Sequence, residues 1–290
     1  MKLLNDYLRK RFGCKVYKLA LSCKVTCPVR DGKLDSRGCI FCSAGGSGEF
    51  ASGSDLPIPV QIENAKQKVS KKIHDGKYIA YFQSYTNTYG DTGYLKEVFL
   101  QAMQPDDIVA LSVATRPDCL EDDKLEMLSQ LNRIKPVWVE LGLQTANEKT
   151  AQYIRRGYEL SVYDEAVKKL KDIGIEVIVH VILGLPGETE EDMINTVKYV
   201  VDSGADGIKL QLLHVLRGTD LEKEYLQGNV PVMTLDEYAL LLKHVVKVIP
   251  DSVVIHRLTG DGPKKILVAP EWSADKHKVM ARIKKELDIK

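Results

Sequence analysis

The chain of 290 residues has no run of 18 apolar residues, so no segment of it is long enough to span a bilayer as a helix. Its first 15 residues, MKLLNDYLRKRFGCK, are charged throughout and lack the apolar core of a secretory signal. It has no Pro/Ser/Gly-rich linker, no internal repeat and no low-complexity tract, which points to a single domain over residues 1–290. Net charge is nearly absent: 41 Lys and Arg against 40 Asp and Glu leave +1, which excludes a uniformly basic nucleic-acid binder but not a basic patch. With 44% hydrophobic and 28% charged residues, disorder, collagen-like repeats and a small disulfide scaffold are excluded.

Cysteine is also scarce, but it is unevenly spread. Of six cysteines, Cys14, Cys23, Cys27, Cys39 and Cys42 fall in the first 42 residues, and only Cys119 lies elsewhere. The expected compartment is the cytoplasm, where thiols stay reduced, and clustered cysteines there read as metal ligands or catalysts before disulfides.

Short apolar runs alternate with amphipathic stretches through the middle of the chain. The runs are Tyr78–Phe82, Ile108–Val113, Val137–Leu143, Glu176–Leu183 and Gly207–Leu213, with an earlier candidate at Val16–Leu21. Their Val, Ile and Leu content fits parallel strands buried on both faces. Ser161 with Asp164, Thr189 with Asp192 and Thr234 with Glu237 have the spacing of capping boxes. Gly174 is placed to close the helix that follows Ser161, and Gly204 to do the same before the Gly207 strand. Strand centres recur about every 30–40 residues, the length of a βα unit. Such repetition gives an open doubly wound sheet or a (β/α) barrel, and periodicity does not separate them. Beyond Leu213 the pattern changes to a helix near Leu235–Val248, a strand-like Val253–Leu258 and a lysine-rich end.

Cys27, Cys39 and Cys42 form a C-x11-C-x2-C pattern, in which one tight turn can aim Cys39 and Cys42 at the same centre. No second C-x2-C and no H-x3-H completes a tetrahedral zinc site, which would need Cys23 or a distant histidine. Three thiolates suit a [4Fe–4S] cluster, since they leave one iron open to a chelating small molecule. Cys14, Cys23 and Cys119 read as ordinary residues.

A three-cysteine loop after a first strand, followed by βα repeats, resembles the radical S-adenosylmethionine (SAM) superfamily. The segments CPVRDG, GCIFC, YFQSYTNTYGDTG, ATRPDCL, ELGLQTANEKTAQYIRRGY, GLPGETEED and VIHRLTGDGP resemble the branch near the Elongator catalytic subunit and its shorter bacterial relatives. The resemblance implies an α/β fold, a partial (β/α)6 TIM-like barrel with its core at about 16–215 and a C-terminal extension at about 216–290. It also implies that Cys27, Cys39 and Cys42 hold a [4Fe–4S] cluster that reductively cleaves SAM to a 5′-deoxyadenosyl radical. An electron donor such as flavodoxin or ferredoxin would serve it, and no membrane is involved.

By the same resemblance, Gln83, Ser84 and Thr86 replace the glycine-rich turn that relatives place beside the methionine end of SAM. Gln144 and Arg156 repeat the Gln-to-Arg spacing of SAM-contacting residues, an arginine fork suiting a carboxylate and a glutamine suiting ribose hydroxyls. His180 occupies a position given to the ribose. Ala114 stands where relatives often carry a SAM-binding glutamate, with Arg116 nearby as compensation or as a substrate contact. Glu140 is readable as structural or as a ligand. GLPGE is not a P-loop, lacking the terminal Gly-Lys-Ser/Thr.

The implied substrate is tRNA, at a (wobble) uridine. Residues 1–18 hold six basic residues against Asp6, and residues 264–290 hold eight against four acids. Meeting at one side of a barrel mouth, these ends would position phosphates. The acetyltransferase domain of the Elongator relative is absent, so removal or rearrangement of an existing substituent is as open as carboxymethylation. His256, Arg257, Asp261 and Lys264 are the candidates for substrate contact. Two other readings stand beside this one: a radical SAM enzyme acting on a small metabolite, and a zinc-stabilised RNA-binding module.

Overall fold

The apolar runs become strands of one parallel sheet. A computed structural model describes residues 1–70 and 76–289. In chain order the elements are β1 (Lys2–Leu3), α1 (Leu4–Phe12), β2 (Val16–Leu21), α2 (Ile58–Val69), β3 (Lys77–Phe82), α3 (Thr92–Met103), β4 (Ile108–Thr115), α4 (Asp122–Asn132), β5 (Val137–Gln144) and α5 (Glu148–Tyr153). There follow α6 (Leu160–Asp172), β6 (Glu176–Leu183), α7 (Glu190–Asp202), β7 (Gly207–Leu212), β8 (Val215–Leu216), α8 (Asp220–Leu226), α9 (Leu235–Val246), β9 (Val254–Arg257), β10 (Leu267–Ala269) and α10 (Lys276–Glu286). Among the described residues no helix is long and apolar enough to cross a membrane.

The sheet runs β1-β9-β7-β6-β5-β4-β3-β2, parallel throughout. Strands β2 to β7 are the six expected from spacing, in sequential order, and they curl into a partial TIM-like barrel. The wall also takes in β9 and β1, from outside the 16–215 span. The sequence showed β9 as strand-like but offered no sign of its partner. It docks because β7 would otherwise end the sheet with unpaired backbone groups, and β1 covers the next edge for two residues.

Strand alternation divides the side chains into two sets. Leu19, Leu111, Val139, Val179 and Leu210 face the helices in one continuous apolar core that also holds Leu241 and Ile283 from the C-terminal helices. The inward set is layered. Its lowest layer is apolar: Val16, Ile79, Ala110, Trp138 and Ile178 meet Leu8 of α1, so this helix plugs the amino-terminal end of the barrel. The layer above is polar and buried. Glu140, whose side chain is 0% exposed, accepts from Lys18 Nζ at 2.5 Å and Ser112 Oγ at 2.6 Å. It also pairs with Lys209 and with His180 Nε2, the latter at 2.7 Å. Lys209 Nζ donates to Tyr81 at 3.1 Å.

Two of the three capping boxes form: Thr189 accepts from Asp192 N and Thr234 from Glu237 N, each at 3.2 Å. The third does not. Helix α6 begins one residue before Ser161, and its Leu160 N–H donates to the Glu148 carboxylate at 2.8 Å instead. Asp164 is engaged elsewhere, accepting from the Tyr199 hydroxyl. A tertiary acceptor therefore replaces the local one. Gly174 and Gly204 follow their helices with φ of 74° and 82°, as expected of closing glycines.

The two basic ends do not meet at one face. Arg11 pairs with Glu176 at the start of β6, and Lys18 lies inside the barrel, so the basic amino-terminal segment belongs to the plugged end. Of the basic residues in 264–290, Arg282 is tied to Asp236 and Glu286 and Lys276 to Asp261, while Lys264 and Lys265 are exposed.

Replacing the shared carboxylate tests the inner layer. Glu140→Gln leaves Lys18 and Lys209 buried without their counter-charge, and should cost about 3–5 kcal/mol in urea unfolding. Stability should also fall in acid. Burial holds His180 down at about 4, so between pH about 6.5 and 4 the unfolded chain binds a proton that the folded chain refuses. Stability then declines as pH drops through that window, by about 1.4 kcal/mol per pH unit for this group. Its lysines hold Glu140 well below the usual carboxylate range, so its contribution, complete above pH about 4.3, is lost as pH falls further. Unfolding midpoints across pH check this: His180→Gln should flatten the upper part of the slope.

Candidate functional site

The carboxyl ends of the strands open on one cavity, the end at which barrel enzymes carry their sites. Cys27, Cys39 and Cys42 line one side of it, on the loop between β2 and α2. Two turns fold that loop: Arg30 N donates to Cys27 O at 2.8 Å, and Cys42 N to Cys39 O at 3.0 Å. The Arg30 guanidinium joins the two by donating to the carbonyls of Cys42 at 2.7 Å and Ser43 at 2.5 Å. All six cysteines are free thiols. Burial pushes Cys39 up to about 12, with its neighbouring thiols adding to the effect and Arg116 and Arg30 opposing it. Burial also raises Cys42, against the pull of Arg30. Thiols so placed become thiolates by binding a metal centre, which supplies the missing positive charge.

The donor set fits an iron–sulfur cluster. It is three sulfurs opening on a common cavity, with Cys39 Sγ 3.7 Å from the Arg155 carbonyl and Cys42 Sγ 4.0 Å from Ser47 Oγ. Among the described residues no three His, Cys, Asp or Glu side chains converge to hold a single ion. Zinc needs four ligands at about 2.0–2.3 Å, and lacks that arrangement here. A cubane spreads its ligands over separate irons, so it uses thiolates that stand apart. Cys23 is no fourth ligand: it is buried, donates to Asn87 Oδ1 at 3.3 Å and does not line the cavity. Cys14 sits at the plugged end, and Cys119 is buried outside the cavity.

Of the other expected site residues, Gln83, Thr86, Gln144, Arg156 and His180 line the same cavity. Ser84 does not. It is buried with its hydroxyl 3.0 Å from that of Ser22, directly beneath Gly48, where a Cβ would strike it. Gln83 also serves the cysteine loop, donating to Ser47 O at 2.7 Å. Arg156 is 2% exposed and its donors are already engaged, by Thr145 O at 2.7 Å, Tyr158 O at 3.0 Å and the Glu148 carboxylate at 3.1 Å. Gln144 is different. It adopts φ 71° where the β5–β6 register slips, and its buried Oε1 has no partner among the described residues. A side chain held at a bulge with an open acceptor is placed for a ligand donor.

The candidates near the carboxyl terminus separate. Arg257 and Asp261 line the cavity, as do Arg116 and Ala114. His256 faces the barrel interior edge-on to Trp138, with ring centroids 5.6 Å apart, and Lys264 is exposed outside the cavity. Sequence reasoning missed Tyr81, Lys209, Gln211 and His214, all in the lining, and left Glu140 undecided. A signal was available: a lone lysine or glutamate midway along an apolar strand, as in VYKLAL, VWVELGLQ and GIKLQL.

Comparison with known proteins agrees with this geometry. Residues 36–200 match the Radical SAM superfamily, and residues 205–288 match the Radical_SAM C-terminal domain. The chain is 44% identical to the YtqA protein of Bacillus subtilis over 98% of its own length and 88% of that relative. It is 26% identical to the tRNA uridine(34) acetyltransferase of Methanocaldococcus jannaschii, over 55% of this chain and 30% of that protein. Among solved structures it superposes on the archaeal Elp3 of Methanocaldococcus infernus with a TM-score of 0.69 at 19% identity, covering 93% of this chain and 63% of that one. It thus spans less than two thirds of the Elp3 chain, and that likeness is one of fold. Members of the matched superfamily work with a [4Fe–4S] cluster and SAM. The chain belongs to the radical SAM superfamily.

Proposed function

We propose that this radical SAM enzyme modifies tRNA at a uridine side chain, with Cys27, Cys39 and Cys42 holding the cluster. The observation that carries the enzyme reading is the convergence of these three free thiols on the one cavity at the carboxyl end of the barrel. The cluster and SAM, when bound, supply one-electron cleavage of a C–S bond and a radical able to take hydrogen from a substrate. The electron comes from a protein donor such as flavodoxin or ferredoxin.

The chain's own residues bind and orient. Gln144 Oε1, buried with no partner among the described residues, would accept from a ribose hydroxyl of SAM. Thr86 offers further polar contact from the same cavity. His180, held down at about 4, is neutral at physiological pH, and both its ring nitrogens are engaged, Nε2 with Glu140 at 2.7 Å and Nδ1 with Gln211 Nε2 at 3.2 Å, so it braces the wall. Gln83 anchors the cysteine loop, and Arg156, fully engaged, braces the turn after β5. Phe41 and Phe50 at the mouth keep water from the reacting centre.

The tRNA assignment is supported by the likeness to a tRNA uridine(34) acetyltransferase over 163 residues. Exposed Lys264 and Lys265 add to it, following directly on Pro263 of the cavity lining, where they can meet phosphates.

Anaerobically purified protein should be brown and carry iron and sulfide. With SAM and a reductant it should release 5′-deoxyadenosine, and Cys39→Ala should abolish that release. Colourless protein containing only zinc would sink the enzyme reading. Nucleoside mass spectrometry of tRNA from a strain lacking the gene should show a changed wobble uridine. An unchanged profile, with 5′-deoxyadenosine still formed, would move the substrate to a small metabolite.

A further inference from the structure

Strands β7 and β9 carry an arrangement that packing does not require. Their register runs Gly207–Val254 and Ile208–Ile255, then slips so that Lys209 pairs with Arg257. The slip is a bulge at His256, and it brings Arg257 to the cavity beside Lys209. Two cations thus stand directly across from one another on neighbouring strands, where like charges repel.

The rest of the wall relieves Lys209, through Glu140 and Tyr81, but not Arg257. Glu140 is already shared by Lys18, Lys209 and His180. Asp261 is held by Lys276 at 2.9 Å, and Glu49 by the Ser43 hydroxyl. The other arginines of the lining are all committed: Arg30 to two carbonyls, Arg116 to Asp118, Arg156 to Glu148. Among the described residues the Arg257 side chain makes no hydrogen bond or ion pair. Next to it the wall holds His214, whose buried Nε2 is also without a partner. The ring is pressed into place by the loop after β9, where a Cβ on Gly260 would lie 3.2 Å from it. Burial keeps that imidazole neutral, down at about 4, so it can donate without adding charge.

We propose that Arg257 and Lys209, assisted by His214, form an oxyanion subsite that binds a carboxylate or phosphate group of the substrate inside the barrel. An anion between the two cations removes their repulsion and satisfies the free guanidinium fork, which suits either group bidentately. The subsite lies on β7 and β9, across the mouth from the cysteine loop, so a substrate gripped there points its other end at the reacting centre. The inference rests on the reading of this cavity as the substrate site of a radical SAM enzyme, and names the charge that the substrate brings to it.

The test uses holoprotein loaded with SAM and left unreduced, so that the SAM site is filled. Acetate and inorganic phosphate are titrated at fixed ionic strength while thermal unfolding is followed. Wild type should be stabilised saturably by at least one of the two, and in Arg257→Met the half-saturating concentration should rise about tenfold or more. Affinity for SAM, measured by equilibrium dialysis, should be the same in both proteins. The idea is overturned if wild type shows no saturable stabilisation, if the variant responds equally, or if the variant loses affinity for SAM, which would make Arg257 a SAM ligand.

A second arm identifies the source of the anion. With tRNA from a strain lacking the gene, the KM of Arg257→Met should rise about tenfold or more over wild type. Amidating carboxylates on that tRNA with a carbodiimide, which spares phosphodiesters, should abolish turnover by wild type if the anion is an acidic substituent, and leave it intact if the anion is a backbone phosphate. Should wild type leave tRNA unaltered, the tRNA assignment falls, while the acetate and phosphate titrations still decide the subsite.

Discussion

One carboxylate organises the interior of this barrel. Glu140 lies at the level where five strands bring a polar side chain inward, and it takes hydrogen bonds or charge from Lys18, Ser112, His180 and Lys209. Desolvating three charged groups, Lys18, Glu140 and Lys209, is expensive, and their mutual attraction repays it only because each oxygen of Glu140 has close donors. The consequence is geometric. Strands β2, β4, β5, β6 and β7 cannot slide past one another without breaking this cluster, since a one-residue slip would turn the charges outward into the apolar helix layer. The cluster also separates two compartments: an apolar plug sealed by α1 below, and an open cavity above.

Above that layer, the wall departs from regular register where the chemistry is placed. The slip between β5 and β6 sets Gln144 at φ 71° with a free amide oxygen, and the slip between β7 and β9 sets Arg257 beside Lys209. Regular alternation would give each of these strands one inward side chain in two. The bulge on β9 breaks the count, so that His256 and Arg257 both face the interior where the strand ends, while that on β5 leaves Gln144 in phase and alters its backbone instead. The cysteine loop is joined to this rim by contacts that leave no space for larger residues: Gly46 lies against Tyr85 and Gly48 against Ser84. The thiols therefore keep a fixed place relative to the strand ends.

Much of this was legible in the chain. The C-x11-C-x2-C pattern identified the cluster ligands' candidates because two residues between cysteines confine both sulfurs to one turn, a local constraint. Six strands were legible because each is an apolar run of a length that only a buried strand uses. Capping boxes at Thr189 and Thr234 were legible for the same reason, being contacts across three residues. Ser161 failed as a cap because the α6 amide found Glu148, and Ser84 failed as a lining residue because the turn after Phe82 points it at Ser22. Both misreadings concern where a side chain points once distant chain arrives beside it.

The sequence by itself determined the repeating βα architecture, the three-thiol loop and the superfamily resemblance, because these rest on spacing within short windows. Only the tertiary structure decided which polar residues meet. Lys18, Glu140 and Lys209 are far apart in the chain, and nothing local shows that one carboxylate serves both lysines. The same holds for the two basic termini, which lie apart: the first is packed under the barrel, while Lys264, Lys265 and Lys276 of the second lie at or beside the cavity rim after β9. Pairing across strands is a property of register, and register is set by the sum of packing over the whole sheet rather than by any segment.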